Sequence, residues 1–248
     1  MGALRLTFRG LWIVALLLLC VPVHYLWRLF GRRSPWPRRF LGWVGRAVGM
    51  RVKVTGEPLR RDVLFVANHE SWLDIPLLAG ASGTAFVSKD EVARYPLIGW
   101  LARLNNTVFI ARSDRRSVRG QADQLRSALA SGQPVALFPE GTTDGGTEVL
   151  PFRASLLSSL FPPLPGLKVQ PVAFDYGEAS AELAWVGDER GLANVKRVLS
   201  RRGTNLVRLH FLPPLDPADI ADRKALAERS RAEIVNALGP SGGRAVRL

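Results

Sequence analysis

The segment VLFVANHESWLDIPLLAG, residues 63 to 80, joins an apolar run of strand length to a stretch of helical character. Its first five residues, VLFVA, are apolar throughout, which is typical of a strand buried on both faces of a parallel sheet. The run ends at Asn68 and His69, and a carboxylate, Asp74, follows the histidine by five residues. This unit predicts an α/β fold with titratable groups where a strand ends.

The same alternation continues along the chain. Further apolar runs of strand length lie at 51–56, 84–89, 106–112, 134–141, 168–174 and 206–212. Helices are predicted from Ser71 onward, at 95–104, at 116–132 with Gly132 as its stop, and at 152–161. A last helix is predicted to start at Asp216-Pro217 and to end at Gly239. The expected fold is therefore α/β, with a mostly parallel central sheet flanked by helices.

The first 49 residues have a different composition. Residues 11–27, LWIVALLLLCVPVHYLW, are almost wholly apolar, with arginines on both sides. The run lacks a small-residue cleavage site, so we expect it to be retained, and its length is marginal for a full membrane span. Nearby tryptophans favour an interfacial or re-entrant helical pair, whose second helix is predicted at 38–49. A core helix of a soluble domain is the alternative, but it leaves the flanking arginines and tryptophans unexplained.

We expect three parts: a membrane helix or helical hairpin at 1–49, a globular domain at 50–240, and a loose tail at 241–248. The heavier positive charge after the apolar run predicts that the globular domain lies on the cytoplasmic face of the inner or plasma membrane. The net charge of +13 fits anionic membrane lipids, nucleic acid or an acidic substrate. The single cysteine, Cys20, excludes an internal disulfide and a cysteine-based metal site, and we expect it to be buried.

Polar residues follow four of the predicted strands. They are Asn68 with His69, Lys89, Arg112, and the turn Glu140-Gly141-Thr142. The carboxyl ends of parallel strands meet at one edge of a sheet, and α/β proteins bind their ligands there. One polar strand end is expected by chance, whereas four predict a site for an anionic or polar substrate.

His69 and Asp74 are the candidate acid–base pair. On one straight helix, residues five apart point in different directions. If the helix begins at Ser71, however, His69 lies in the turn before it, and the carboxylate of Asp74 can reach back to one imidazole nitrogen. The other nitrogen is then free to accept a proton. The alternative is a helix cap, because Ser71 and Asp74 also match the S-x-x-D capping box, but a cap does not explain His69.

Four ordered stretches resemble the glycerolipid acyltransferase family, which includes the lysophosphatidic acid acyltransferases. NHESWLD is similar to the family's N-H-x4-D motif, and FVSKDEVARYPLIGWLARLNNTVFIAR is similar to its second block. LFPEGTT resembles the F-P-E-G block, and VQPVAF resembles the apolar fourth block. The likeness covers about residues 50 to 215, with the motifs in the family's order.

The resemblance implies a membrane-bound O-acyltransferase whose catalytic domain is the globular one. Such an enzyme moves a fatty acyl group from acyl-CoA or acyl carrier protein to the hydroxyl of a lysolipid. His69 would take the hydroxyl proton as general base, and Asp74 would stabilise the imidazolium. Backbone N–H groups near Ser71 or in the Glu140-Gly141 turn are candidates to bind the oxyanion. The predicted acceptor contacts are Asn68, Lys89, Arg112, Glu140, Gly141 and Thr142.

One position departs from the family pattern. The third block commonly reads F-P-E-G-T-R-S, and its arginine is associated with the acceptor phosphate, whereas Thr143 and Asp144 stand here. Loss of a bidentate phosphate ligand is not neutral. Either Lys89, Arg112 or Arg153 takes over that role, or the acceptor lacks a phosphate. We expect 1-acyl-glycerol-3-phosphate as the acceptor, giving phosphatidic acid, with lyso-ornithine lipid as the alternative.

The rival class is a non-catalytic basic protein that binds membranes or nucleic acid. The charge and the stretch GRRSPWPRR support it, but a membrane enzyme would carry both as well. We therefore expect anionic membrane lipids, the lysolipid and the acyl donor as partners, and no nucleic acid. We expect no cofactor and no metal, because the three histidines form no H-E-x-x-H motif and no nucleotide-binding motif is present. His24 is placed at the membrane interface and His210 in a packed strand.

Overall fold

A computed structural model describes residues 1–31, 34–110, 118–143, 145–146 and 148–239. The strands are β1 (Met50–Thr55), β2 (Val63–Ala67), β3 (Ala85–Lys89), β4 (Val108–Ile110), β5 (Val135–Leu137), β6 (Lys168–Asp175) and β7 (Asn205–Phe211). The helices are α1 (Gly2–Leu29), α2 (Trp36–Ala47), α3 (Asp74–Ser82), α4 (Asp90–Ala93), α5 (Pro96–Leu104), α6 (Val118–Ala130), α7 (Ser180–Leu183), α8 (Gly191–Ser200) and α9 (Arg223–Leu238).

The seven strands form one sheet in the order β1-β7-β6-β2-β5-β3-β4. From β6 to β4 all neighbours are parallel. β7 runs antiparallel to β6, and β1 pairs parallel to β7. The prediction of a mostly parallel sheet flanked by helices is confirmed. The four strands β2, β5, β3 and β4 are contiguous, so the polar residues that follow β2, β5 and β3 lie along one edge, as expected.

Strand β2 is apolar at every position because helices cover both of its faces. Phe65 belongs to a core with residues of α2, α3 and α8, while Leu64 and Val66 belong to a second core with residues of α6 and α9. All five side chains of β2 are fully buried. A continuous apolar run is what a central strand between two helical layers requires.

The N-terminal helices pack against this domain. A stripe of α1 that includes Leu16, Cys20 and His24 is buried, which confirms the expectation for Cys20. Arg9, near the start of α1, donates to the carbonyl of Leu199 at 3.0 Å. Helix α2 lies against α3 so closely that a Cβ added to Gly80 would stand 2.6 Å from the Cα of Gly42. In the described ranges, α1 is the one helix long and apolar enough to cross a membrane.

Several helices differ from the sequence prediction. Residues 152–161 form no α-helix, because Ala154–Leu160 is a 3-10 helix that contains three serines. Serine hydroxyls can bind backbone carbonyls that an α-helix would use, and the hydroxyl of Ser158 donates to the carbonyl of Ser155.

The last helix does not begin at Asp216-Pro217, which forms only a short 3-10 turn. It begins after Asp222, whose carboxylate accepts from two backbone N–H groups. Helix α3 begins at Asp74 rather than at Ser71, and the second N-terminal helix is Trp36–Ala47 rather than 38–49.

The predicted ends of two helices are confirmed. Gly132 follows α6 with φ +75°, and Gly239 follows α9 with φ +58°. These are left-handed conformations that glycine adopts without a steric penalty. Helix α8 was not predicted. Arg112, Asp144 and the tail 241–248 lie outside the described residues, and the division of the chain at residues 49 and 240 stays a prediction.

Candidate active site

The strand-to-helix segment brings His69 and Asp74 together. The imidazole Nδ1 of His69 lies 2.7 Å from Oδ2 of Asp74. His69 stands in the loop before α3, and Asp74 is the first residue of that helix. The predicted arrangement, with the histidine before the helix and the carboxylate in its first turn, is therefore observed.

The carboxylate of Asp74 is completely buried and is held by three further donors. Its Oδ2 also accepts the backbone N–H groups of Glu70 at 2.9 Å and Ser71 at 3.0 Å. Its Oδ1 accepts the hydroxyl of Tyr176 at 2.5 Å.

The hydroxyl of Ser71 donates to the carbonyl of Leu183 and accepts the N–H of Leu73 at 3.4 Å. The N–H of Asp74 donates instead to the carbonyl of Ser71, so the bond from the serine hydroxyl that defines a capping box is not formed. One oxygen atom of Asp74 holds the loop before α3 and also contacts His69. Helix α3, which begins at Asp74, has no side-chain cap.

The imidazole of His69 is fixed in plane as well as in direction. Its ring stacks on Phe138 with centroids 4.1 Å apart and planes 17° apart. Because a carboxylate only accepts hydrogen bonds, Nδ1 carries the proton and Nε2 is the accepting nitrogen. Among the described residues Nε2 has no hydrogen-bond partner, and the side chain is 19% exposed. The arrangement presents a basic nitrogen that a substrate hydroxyl can reach.

The turn after β5 supports the backbone of His69. Oε1 of Glu140 accepts the N–H of His69 at 3.0 Å, and its Oε2 accepts the N–H of Leu150 at 3.3 Å. Gly141 has φ +75° and donates its N–H to the carbonyl of Phe138, which closes a tight turn that requires glycine. Glu140 therefore ties the ends of β2 and β5 together.

Asn68 ties β2 to its other neighbour. Its amide accepts from the N–H of Phe174 at 2.8 Å and donates to the carbonyl of the same residue at 3.1 Å. It also donates to Oε1 of Glu70 at 3.0 Å, and Oε2 of Glu70 accepts the hydroxyl of Ser180. Asn68 and Glu70 are both 2% exposed. These bonds make Asn68 part of the framework of the site, and its contact with an acceptor stays a prediction.

Trp72, within the N-H-x4-D segment, is held from α8. Its indole N–H donates to Oδ1 of Asn194 at 3.1 Å, and the amide of Asn194 donates to Oε2 of Glu189 at 2.6 Å. Hydrogen bonds from Arg197 and Asn194 lower the pKa of Glu189 to about 2. Glu189 thus holds the amide of Asn194, which in turn holds the indole of Trp72.

The other predicted acceptor contacts are more loosely placed. Lys89 ends β3 and is exposed, and because β5 lies between β3 and β2, it is two strand spacings, about 10 Å, from the end of β2. Thr142 is exposed. Thr143, which stands where the family pattern has arginine, donates its hydroxyl to the carbonyl of Trp185 at 2.6 Å. The acceptor roles of Lys89, Arg112, Glu140, Gly141 and Thr142 stay predictions.

One backbone N–H in each of the two places proposed for an oxyanion contact is engaged within the protein. The N–H of Ser71 donates to Asp74, and the N–H of Gly141 donates to the carbonyl of Phe138. These two N–H groups are occupied within the protein, and an oxyanion contact from another N–H near Ser71 or in the Glu140-Gly141 turn stays a prediction.

Two residues of the site were missed by the sequence analysis. Phe138 orients the imidazole, although only its place in the F-P-E-G block was noted. Tyr176 comes directly after β6 and is 2% exposed. The strand-end criterion applied to β2, β3, β4 and β5 would have found Tyr176 if it had been applied to β6 too.

The comparisons with known proteins agree on one family of enzymes. A model of the family described as Acyltransferase matches residues 51–175. The chain is 35% identical to the lyso-ornithine lipid O-acyltransferase of Rhodobacter capsulatus, over 96% of this chain and 91% of that protein. It is 31% identical to the 1-acyl-sn-glycerol-3-phosphate acyltransferase of Neisseria meningitidis, over 75% of this chain and 73% of that protein.

The fold has a solved counterpart. The crystal structure of the 1-acyl-sn-glycerophosphate acyltransferase PlsC from Thermotoga maritima matches with a TM-score of 0.68 and 24% identity, covering 100% of both chains. The family model covers the β2–α3 segment that holds His69 and Asp74, and the relatives extend the match over most of the chain. The chain therefore belongs to the glycerolipid acyltransferase family, and it is a lysolipid acyltransferase.

Proposed function

We propose that this enzyme transfers a fatty acyl group from acyl-CoA or acyl carrier protein to the hydroxyl of a lysolipid, with His69 as general base. The contact between Nδ1 of His69 and Oδ2 of Asp74 at 2.7 Å carries the proposal. An alcohol is a weak nucleophile until its proton is removed. Nε2 of His69 takes that proton, and Asp74 stabilises the imidazolium that forms.

The reaction is a direct transfer. As the proton moves to Nε2, the acceptor oxygen bonds to the thioester carbonyl carbon, and collapse of the tetrahedral intermediate breaks the C–S bond. The departing thiolate takes the proton back from the imidazolium, so the products are an ester and a thiol. No acyl-enzyme is needed. The one G-x-S-x-G match in the sequence, residues 239–243, follows helix α9 rather than a strand, so it is not placed as a nucleophile turn. No bound cofactor or metal takes part in this scheme.

We propose lyso-ornithine lipid as the acceptor. Four relatives, 32–37% identical, are named lyso-ornithine lipid O-acyltransferase. The hydroxyl of Thr143 is bound to the carbonyl of Trp185, so the position of the family's phosphate-associated arginine holds no cation. This reverses the order expected from sequence alone. Lysophosphatidic acid is the second candidate, supported by the Neisseria relative and by Lys89 on the same sheet edge.

We propose that α1 lies in the membrane surface. At 28 residues, it is about 42 Å long, and one stripe of it packs on the domain. The opposite side is exposed and apolar, with Phe8 at 69%, Leu11 at 65% and Leu18 at 69%. A helix held against its own domain along one side is suited to insertion along the interface, with the catalytic domain on the cytoplasmic face.

The test uses the purified full chain, a labelled acyl thioester and a panel of lysolipids, with products identified by mass. Acyl-CoA and acyl carrier protein are tried in separate arms. We expect the main product to be ornithine lipid and the His69→Ala variant to form none above background. Transfer only to lysophosphatidic acid would overturn the choice of acceptor, and normal transfer by His69→Ala would overturn the mechanism.

A further inference from the structure

A cleft of about 810 Å³ lies between the end of α1 and the end of α5. Tyr25, Leu26 and Leu29 form the α1 side, and Trp100 and Leu104 form the α5 side. The indole N–H of Trp100 donates to the hydroxyl of Tyr25 at 3.3 Å and joins the two walls. Tryptophan and tyrosine side chains have one polar and one apolar end, and they are enriched at membrane–water interfaces.

Two arginines line the same cleft. Arg28 comes from α1 and Arg103 from α5, and no carboxylate is among the lining residues. Within the described ranges neither guanidinium forms an ion pair; Arg103 lies over the ring of Phe109 at 5.6 Å and donates to the carbonyl of Ala93. Two like charges that share a cleft repel each other, and an anion between them removes that repulsion. The planar guanidinium matches the oxygen geometry of a phosphate.

Apolar surface continues from the cleft along both helices. On α1, Leu26 is 55% exposed and Leu29 is 81% exposed; on α5, Leu97 is 53% exposed and Ile98 is 54% exposed. Exposed apolar side chains beside a cationic pocket favour a ligand with a negative head and hydrocarbon chains. A small anion such as inorganic phosphate would leave this apolar surface in water.

The cleft is remote from the acyltransferase site. The amide of Asn105, the residue after α5, donates to the carbonyl of Thr84, which precedes β3. Lys89 and the catalytic pair lie at the carboxyl end of this sheet, the other end of the five-residue strand β3, about 17 Å away. A lipid in the cleft is therefore not positioned to be the acyl acceptor.

We propose that this cleft binds one anionic phospholipid of the surrounding bilayer, with its phosphate between Arg28 and Arg103. Its acyl chains lie along the exposed faces of α1 and α5. The bound lipid would bridge the N-terminal helix and the domain. This site is independent of the reaction, because no residue that lines it takes part in proton transfer.

Native mass spectrometry of the detergent-purified full chain tests the site with phosphatidylglycerol and phosphatidylcholine as probes. We expect one phosphatidylglycerol to be retained per chain and its affinity to fall about tenfold in Arg28→Gln/Arg103→Gln, because each lost guanidinium removes charge-assisted hydrogen bonds to the phosphate. Arg28→Gln alone is a second variant, since the Arg28 side chain makes no hydrogen bond to the described residues and its loss leaves the helix packing intact.

The matched control is Arg223→Gln/Arg229→Gln on α9, which removes the same charge from exposed positions on the other face of the sheet. Equal loss in this control, or full retention by the Arg28→Gln/Arg103→Gln variant, would overturn the proposal. Displacement of the lipid by inorganic phosphate would show a simple anion site and would also overturn it. His69→Ala should retain the lipid while losing acyl transfer, so failure of this site and failure of the proposed reaction are distinguishable.

Discussion

The catalytic corner (His69, Asp74, Phe138 and Tyr176) and the acceptor edge (Lys89, Thr142 and Thr143) lie along one edge of the sheet but are built differently. In the catalytic corner, one buried carboxylate accepts four hydrogen bonds and the imidazole is stacked on an aromatic ring. At the acceptor edge, Lys89 is exposed, and among the described residues the hydroxyl of Thr142 makes only a 3.5 Å contact, to the carbonyl of Thr143.

The difference fits the roles proposed for the two regions. Proton transfer requires an imidazole of fixed tautomer and direction. Several packing contacts and hydrogen bonds therefore fix the position of each residue around it. Recognition of a head group needs side chains that can be exchanged without disturbing the fold. Thr143, which stands where the family pattern has arginine, lies in this exposed region and is held by one hydrogen bond to Trp185. Substitutions in the two regions should therefore have separable effects.

The largest effect is expected for His69→Ala. Loss of the general base should lower kcat on the order of 10²–10⁴-fold, while membrane association stays unchanged. The control is His210→Ala, which removes a histidine hydrogen-bonded to Thr55 in the far part of the sheet. Steady-state acyl transfer checks the result, and equal activity of the two variants would remove the distinction between the regions.

The second-largest effect is expected for Asp74→Asn. The amide keeps an oxygen for the N–H groups of Glu70 and Ser71, so the helix start survives, but the negative charge that stabilises the imidazolium is lost. We expect kcat per folded molecule to fall about a hundredfold. Thermal melting followed by circular dichroism measures the folded fraction. A lower melting temperature with unchanged turnover per folded molecule would show that Asp74 has a structural role only.

Tyr176→Phe removes one charge-assisted bond to Asp74 and leaves the ring in place. A lost bond of this kind costs about 1.5–3 kcal/mol, so we expect kcat to fall about tenfold or more with the acceptor KM nearly unchanged. Ser82→Ala is the matched control. It likewise removes a buried hydroxyl, one on α3 that donates to the carbonyl of Leu78 and has no contact with Asp74. If both variants lower the melting temperature and neither lowers kcat, Tyr176 is structural only.

The catalytic pair could be predicted because its geometry is local. His69 and Asp74 are five residues apart, and the start of one helix decides their relative position. The alignment of the polar residues after β2, β3 and β5 also followed from local patterns, since parallel strands place their carboxyl ends at one edge.

The contacts of Tyr176 and Asn68 could not be derived in this way. Each bond joins residues more than 100 positions apart and depends on β6 lying next to β2, and the order of strands in a sheet is not written in any single segment. The start of α9 was misplaced for a different reason. Asp216 and Asp222 are similar cap signals, and only the longer helix after Asp222 has the apolar face that packs on the sheet.

The smallest effect is expected at the acceptor edge, for Lys89→Ala. An exposed cation interacts with a charged head group through water, and such contacts contribute less than about 1 kcal/mol. The acceptor KM should therefore rise less than about fivefold, with kcat retained and with a smaller effect at high salt. Lys196→Ala, which removes an exposed lysine of α8, is the control. A collapse of kcat in Lys89→Ala would contradict the separation of the two regions, because it would mean that this lysine contacts the reacting atoms. A change in preference between lyso-ornithine lipid and lysophosphatidic acid at constant kcat would support the separate roles of the two regions, since it would assign head-group recognition to the exposed edge alone.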